Sequence, residues 1–312
     1  MIVVCGEALF DVFPQQQTAT GIELSARNGG SPFNLAIGLA RLGERPIFFG
    51  GLSRDVFGRR LEQALASEGV SLTAAPRSDA PSPLVVVSVD DLGHPVYAFY
   101  GSNTAERAVH LPHLALLPED ARAIHVGSYC MVAEPVASTL RALVERQRGR
   151  SLIVYDPNVR LTIEPRMQRW QDALQWMLAR TDVLKISEED IAALYPSLSI
   201  DAFLGQALLS GVALAVVTRG AQGVVAATRA LGRVELAALT VPVVDTVGAG
   251  DTFQAALLAG LSRGGHLQRQ ALEEIDRESL TSVLAFASRA AAITCSRRGA
   301  DLPTLAEVYA TL

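Results

Sequence analysis

Val241-Pro242-Val243-Val244-Asp245-Thr246-Val247-Gly248-Ala249-Gly250-Asp251-Thr252-Phe253 is the stretch on which the reading of this chain turns. The apolar run from Val241 to Val244 predicts a strand that feeds the small-residue turn Gly248-Ala249-Gly250. Beyond the turn, Phe253, Ala256, Leu257, Gly260 and Leu261 recur at helical spacing and predict one buried stripe of an amphipathic helix. Small residues let backbone amides converge, and the first turn of a helix has N–H groups without intrahelical partners. Together with the helix dipole they make a cradle for an anion, phosphate above all. Asp251 falls in that first turn, so a carboxylate stands beside the cradle. A base next to a phosphate site suits transfer of a phosphoryl group to a hydroxyl, with Gly248, Ala249 and Gly250 holding the charge.

Working outward, Ile2–Cys5, 47–49, 124–126, 152–155, 183–186 and 214–217 are short runs that stay apolar instead of alternating. Strands of that kind are buried on both faces, which predicts a parallel sheet covered by helices, an α/β fold. A second helix entry is expected at Gly29-Gly30-Ser31-Pro32-Phe33-Asn34, with Ser31 as cap, Pro32 as first helical residue, and Phe33, Ala36, Ile37 and Ala40 sharing a face. Two segments depart from this pattern. Residues 10–28 and 81–104 carry strand-like runs such as 84–89 and 96–100, separated by the turn signal Asp90-Asp91-Leu92-Gly93. They predict a β flap inserted into one domain spanning residues 1–312, and its open edge suggests pairing with a second copy.

Composition narrows the class. With 312 residues, 49% hydrophobic and 19% charged, the chain is long and apolar enough to fold without disulfides or structural metal. A net charge of -5 with scattered Lys and Arg gives no footprint for nucleic acid, and Arg146, Arg148 and Arg150 read as a solvated helix end. Cys5, Cys130 and Cys295 are too dispersed for a disulfide framework. The first apolar run stops at Glu7, and none reaches the ~18 residues that a membrane span requires, so the cytoplasm is the expected compartment. The first strand leads into Gly6-Glu7-Ala8-Leu9, not a dinucleotide-binding G-x-G-x-x-G turn. No Lys follows a glycine loop as in a Walker motif, no G-x-S-x-G is present, and Pro112 breaks any helical pairing of His110 with His113.

Asp245-Thr246-Val247-Gly248-Ala249-Gly250-Asp251 resembles the C-terminal signature of the ribokinase-like (PfkB-type) sugar kinases, and Gly29-Gly30-Ser31-Pro32-Phe33-Asn34-Leu35-Ala36 resembles their other signature. Asp156-Pro157-Asn158-Val159-Arg160, Lys185-Ile186-Ser187-Glu188 and Thr218-Arg219-Gly220 with Gly223 follow in that family's order. The resemblance implies a three-layer α/β sandwich with a mostly parallel central sheet and a small β-sheet lid. It implies that Asp251 is the base and that Asp11, Gly29, Gly30 and Asn34 receive the sugar. Phe99 and Tyr100 would close over it. ATP would lie along Thr218, Gly220 and Gly223, with Arg160 and Lys185 near its phosphates. Many members have Asn where this chain has Lys185. By the same resemblance Glu188 would help hold Mg2+, and Asp245 and Thr246 a monovalent cation such as K+.

Within that family, Gly6 to Pro14, Gly30 to Asn34, His125 to Tyr129 and Tyr97 to Gly101 look most like bacterial fructokinases, which implies conversion of fructose to fructose 6-phosphate. The competing substrate is 2-keto-3-deoxygluconate. Relatives acting on it place an Arg after the flap aromatics, where this chain has Gly101 and reaches Arg107 only later. A reading of a different class is a non-catalytic sugar-binding regulator, which would keep Asp11 and Asn34 but lose the base or the anion cradle.

Overall fold

Strands that are apolar on both faces can only be accommodated between two layers of helix, and six such runs become neighbours here. The computed structural model describes residues 1–89 and 95–310. Among them β1 (Ile2–Cys5), β4 (Pro46–Phe49), β9 (Ala123–Gly127), β10 (Leu152–Asp156), β11 (Val183–Ser187) and β12 (Leu214–Thr218) run parallel. An antiparallel pair, β13 (Val224–Thr228) and β14 (Gly232–Leu236), extends one edge, giving the order β14-β13-β12-β11-β10-β9-β1-β4. Successive residues of a strand point to opposite faces. Thus Ile2, Val4, Val154 and Val216 enter one apolar layer, and Val3, Cys5, Ile153 and Val217 the other.

The first layer is closed by α1 (Ser31–Arg41), α2 (Val56–Ser67), α7 (Ala249–Arg263), α8 (Arg269–Glu273), α9 (Arg277–Cys295) and α10 (Leu305–Ala310). The second is closed by α3 (Val136–Gln147), α4 (Met167–Leu178), α5 (Glu188–Leu194) and α6 (Ile200–Ser210). Helix α7 exceeds the single stripe expected of it, since every residue from Thr252 to Leu261 is buried. It lies between α1 and α9 as well as on the sheet. A Cβ on Gly38 of α1 would stand 2.8 Å from the Ala255 methyl, and one on Gly260 would stand 3.1 Å from Val283 of α9. Helices this close move as one body.

The expected strand from Val241 to Val244 does not form. Pro242 lacks an amide for a ladder, and Val243 and Val244 are 66% and 62% exposed. The segment is a loop tied to the end of α9 by the Val244 and Asp245 amides, which donate to the Cys295 carbonyl at 2.8 and 3.2 Å.

A separate four-stranded sheet takes the two segments that broke the pattern: β2 (Leu9–Thr18), β3 (Gly21–Gly29), β7 (Leu84–Val89) and β8 (Pro95–Tyr100), in the order β3-β2-β7-β8. Only its central β2–β7 contact is parallel. The turn Asp90-Asp91-Leu92-Gly93 lies outside the described residues. The two-residue strands β5 (Leu52–Ser53) and β6 (Arg77–Ser78) pair beside these layers. No helix among the described residues is long and apolar enough to cross a membrane.

Candidate active site

Helix α7 starts without a side-chain cap. Its N-cap is Gly248 at φ 78°, where a Cβ would stand 2.6 Å from the Ala300 methyl, so both the backbone angle and the space call for glycine. The amide cradle differs from Gly248-Ala249-Gly250 at one position. Ala249 N–H is consumed within the loop by the Thr246 carbonyl at 3.2 Å. Among the described residues the amides of Gly248, Gly250 and Asp251 have no partner, and these are the donors left for an anion.

The carboxylate of Asp251 is held by another helix. Ser31 Oγ donates to Oδ1 at 2.6 Å, and Asn34 Nδ2 donates to Oδ2 at 2.8 Å. Ser31 is therefore not the cap of α1. That place belongs to Gly30 at φ 102°, and the Ser31 hydroxyl turns across to α7. Asn34 spends one amide proton on Asp251, which leaves its carbonyl oxygen for a ligand. Burial raises the Asp251 carboxyl above the usual range, while Ser31, Asn34 and the Lys185 charge pull the other way.

Lys185 is neither exposed nor free. It is 4% exposed, its Nζ lies 2.8 Å from Asp156 Oδ2, and a Cβ on Gly250 would stand 3.3 Å from it. A fixed positive charge thus sits behind the turn that opens α7. Burial alone would lower this ammonium, but Asp156 prevails and the net shift is upward. Asp156 keeps Oδ1 buried without a hydrogen-bond partner among the described residues. Asp190 joins this group: it is buried, accepts from the Val159 amide at 3.0 Å, and feels Asp156, Lys185 and Arg160. Glu188, the first residue of the same helix, α5, lines a cleft of about 410 Å³ with Ile191, Leu198, Asp201 and Arg233. Of the acids in Glu188-Glu189-Asp190, the third bears on Lys185 electrostatically. Neither Asp156 nor Asp190 was singled out from sequence. The available signal was an acid at the carboxyl end of a parallel strand, where open α/β sheets bind their ligands.

On the small-sheet side, Asp11 packs so closely on Gly29 that a Cβ there would lie within contact of its Oδ2. Gly30 likewise has no room for a side chain, because a Cβ would be 2.9 Å from the Glu7 carbonyl. Burial pushes the Asp11 carboxyl up to about 6, with Arg160 opposing and Asp251 adding to the rise. The charges of Arg160 and Asp251 thus both bear on Asp11. Arg160 is exposed, and its charge also bears on Asp190.

Phe99 and Tyr100 do not act as a pair. Adjacent strand residues face opposite ways; Phe99 turns inward, edge-on to Tyr129 at 5.2 Å, and Tyr100 is 62% exposed. Arg107 stacks over Phe99 at 6.0 Å and lies 3.6 Å from buried Glu106, whose other contact is the Thr104 hydroxyl at 2.7 Å.

At the other end of the sheet, Thr218 closes β12 and a short turn carries Gly220 at φ 51° and Gly223 at φ 87°. The turn is shut by the Arg219 amide donating to the Gly223 carbonyl at 2.8 Å. Asp245 accepts from the Val247 and Gly299 amides at 3.1 and 2.8 Å, and the Thr246 carbonyl is the one occupied by Ala249. Their roles here are in shaping the loop before α7.

A carboxylate beside free helix amides, backed by a buried cation, with a second acid on a small sheet, is an arrangement that can be compared with known proteins. The profile described as pfkB family carbohydrate kinase matches residues 1–307. The chain belongs to the pfkB family of carbohydrate kinases. A fructokinase of Klebsiella pneumoniae is 35% identical over 315 residues, covering 96% of this chain and 94% of the relative. Among pfkB structures, a Xylella fastidiosa fructokinase with bound ATP superposes with TM-score 0.89 at 28% identity, over 99% of this chain and 97% of that one. A Vibrio cholerae O395 fructokinase holding fructose, ADP and a calcium ion superposes with TM-score 0.83 at 28% identity, with the same coverages. The layered fold with its separate small sheet is thus the ribokinase-like fold that the sequence motifs implied.

Proposed function

We propose that this pfkB kinase transfers the γ-phosphoryl group of ATP to fructose, giving fructose 6-phosphate and ADP, with Asp251 as base. The observation that carries the reading is the Asp251 carboxylate, which lies in the first turn of α7 beside its unpartnered amides, is held there by Ser31 and Asn34, and acts electrostatically on Asp11. Sugar hydroxyls would be received by Asp11, by the Asn34 carbonyl and by backbone at Gly29 and Gly30, under the small sheet with Phe99 at its root. The whole chain then works as one kinase unit, with residues 10–28 and 81–104 as its lid. In the transfer step the sugar hydroxyl gives its proton to Asp251, its oxygen bonds to Pγ, and the bond from Pγ to the ADP oxygen breaks. The Gly250 and Asp251 amides meet the charge on the transferring group, with Lys185 behind them.

The nucleotide is assigned to the side of Thr218, Gly220 and Gly223, with Arg160 reaching its terminal phosphate. Mg2+ is assigned to Glu188, with Asp190 as a second carboxylate in the first turn of the same helix, since one or two carboxylates plus substrate phosphates are its usual ligands. Bound there, it would neutralise phosphate charge. Asp245 and Thr246 are kept as the place for a monovalent cation such as K+, which their main-chain and side-chain oxygens would receive, and no step is assigned to such an ion. A neutral ketose is favoured over 2-keto-3-deoxygluconate because Arg107, the cation an acidic sugar would need, is engaged by Glu106 and Phe99. Exposed Ile22, Leu24, Val96 and Tyr100 on the two outer strands of the small sheet suit pairing with a second copy in the cytoplasm.

The test is an ADP-release assay with fructose, mannose, ribose, glucose and 2-keto-3-deoxygluconate, with the product identified by NMR. The expected result is highest kcat/KM with fructose and phosphate on the 6-oxygen. Preference for the keto acid overturns the substrate assignment. Thermal stabilisation by fructose without any ADP release would instead identify a sugar-binding regulator.

A further inference from the structure

Nothing in the chemistry just described requires Ser31, yet its hydroxyl makes a short contact with the reacting carboxylate. At 2.6 Å the Ser31 Oγ to Asp251 Oδ1 distance is that of a charge-assisted O–H···O⁻ bond. The serine is free to make it because Gly30, and no side chain, caps α1. The contact is also rigidly supported, since α1 and α7 approach to near backbone contact at Gly38 and Ala255.

We propose that Ser31 is a positioning residue for the Asp251 base, directing the sugar proton to Oδ1 and then accepting a hydrogen bond from it. The inference rests on reading Asp251 as the base. The two partners of the carboxylate differ in kind. The Asn34 amide nitrogen can only donate, so Oδ2 must stay bare to keep its 2.8 Å bond. A serine hydroxyl both donates and accepts. When Asp251 is ionised, Ser31 donates to Oδ1. When Oδ1 has taken the sugar proton, the hydroxyl rotates and accepts from it, so the carboxyl remains partnered in both states. Together the two bonds also stop the carboxylate from turning. The other charges bearing on Asp251 are Lys185 from β11, which favours ionisation, and Asp156 from β10 and Asp11 from β2, which oppose it.

The experiment compares S31A, S31T and S31C with the wild-type enzyme through kcat, KM for both substrates and the pH profile of kcat/KM. Circular dichroism and ATP binding serve as checks of fold. S31A is expected to lower kcat about 10-fold, to leave KM for ATP unchanged and to move the acid limb upward by about one pH unit. S31T, which keeps a hydroxyl, should restore both values, and S31C, a weaker donor of similar size, should fall between. Adding S31A to D251N should cost nothing further. An unchanged acid limb and kcat in S31A would overturn the proposal, and so would an S31T as impaired as S31A, because that pattern reports packing. D251N separates the two levels: if it retains turnover the base assignment fails, whereas an inactive D251N beside a normal S31A removes only the role of Ser31.

Discussion

Two aspartates stand at helix entries in this chain and do opposite work. Asp55 caps α2: its oxygens accept from the Gly58 amide at 2.7 Å and from the Ser82 amide and hydroxyl, both at 2.8 Å. Burial alone would raise its carboxyl, yet these donors carry it below the usual range. Asp251 lies within the first turn of α7, is bonded by side chains of α1 instead of its own amides, and sits above the usual range. One carboxylate satisfies the backbone around it. The other leaves the Gly250 and Asp251 amides for something that the chain does not supply, and keeps a pKa suited to taking up a proton.

The contrast breaks most sharply at Asp251 itself. D251N should cut turnover on the order of 10²- to 10⁴-fold with fructose binding retained, the range for loss of a general base; stopped-flow phosphate transfer and sugar titration measure both, and near-normal turnover would erase the distinction. Next comes the cation behind the cradle. K185M strands a buried Asp156 and should cost about 3–5 kcal/mol in urea unfolding, the usual penalty for breaking a buried pair. A smaller loss would mean that Asp156 is reached by water.

A third carboxylate sharpens the comparison because burial outweighs the donors around it. Glu7 is 2% exposed and burial pushes its carboxyl up to about 7 from 4.5. The unfolded chain releases this proton first, so stability should fall as pH rises from 4.5 to about 7 and then level off. E7Q should flatten that decline and, in thermal melts at pH 7.5, be more stable than wild type by up to about 3 kcal/mol. The smallest effect is expected at Asp55: D55A should lose about 1 kcal/mol of stability, as cap removals do, with kcat unchanged. A marked fall in kcat would mean that α2 is coupled to the site.

Much of this architecture was legible before any coordinates. The six apolar runs all became strands of one sheet, and the departures at 10–28 and 81–104 became the small sheet. The strand expected at 241–244 failed because apolar composition was read without weighing Pro242. Asp251 with Asn34, and Asp11 with Gly29, which the fold brings into contact, were all nameable because glycine turns and first-turn acids leave local marks. Ser31 was misread as a cap because a serine before a proline-started helix is a local signal, while its partner lies on a helix near the other end of the chain. Asp190 went unnamed beside Glu188 for a similar reason: neighbouring acids look alike in sequence, and only the folded helix shows which charge bears on Asp156 and Lys185.

Hydrophobic periodicity and glycine placement, which depend on neighbours a few residues away, sufficed to determine the layered fold, the two helix entries and the acid in the turn. What holds that acid and which carboxylates face the cation at Lys185 were decided only when distant segments met. Those are questions of distance and burial between side chains, and the strength of a charge or hydrogen bond is set by the surroundings that packing creates.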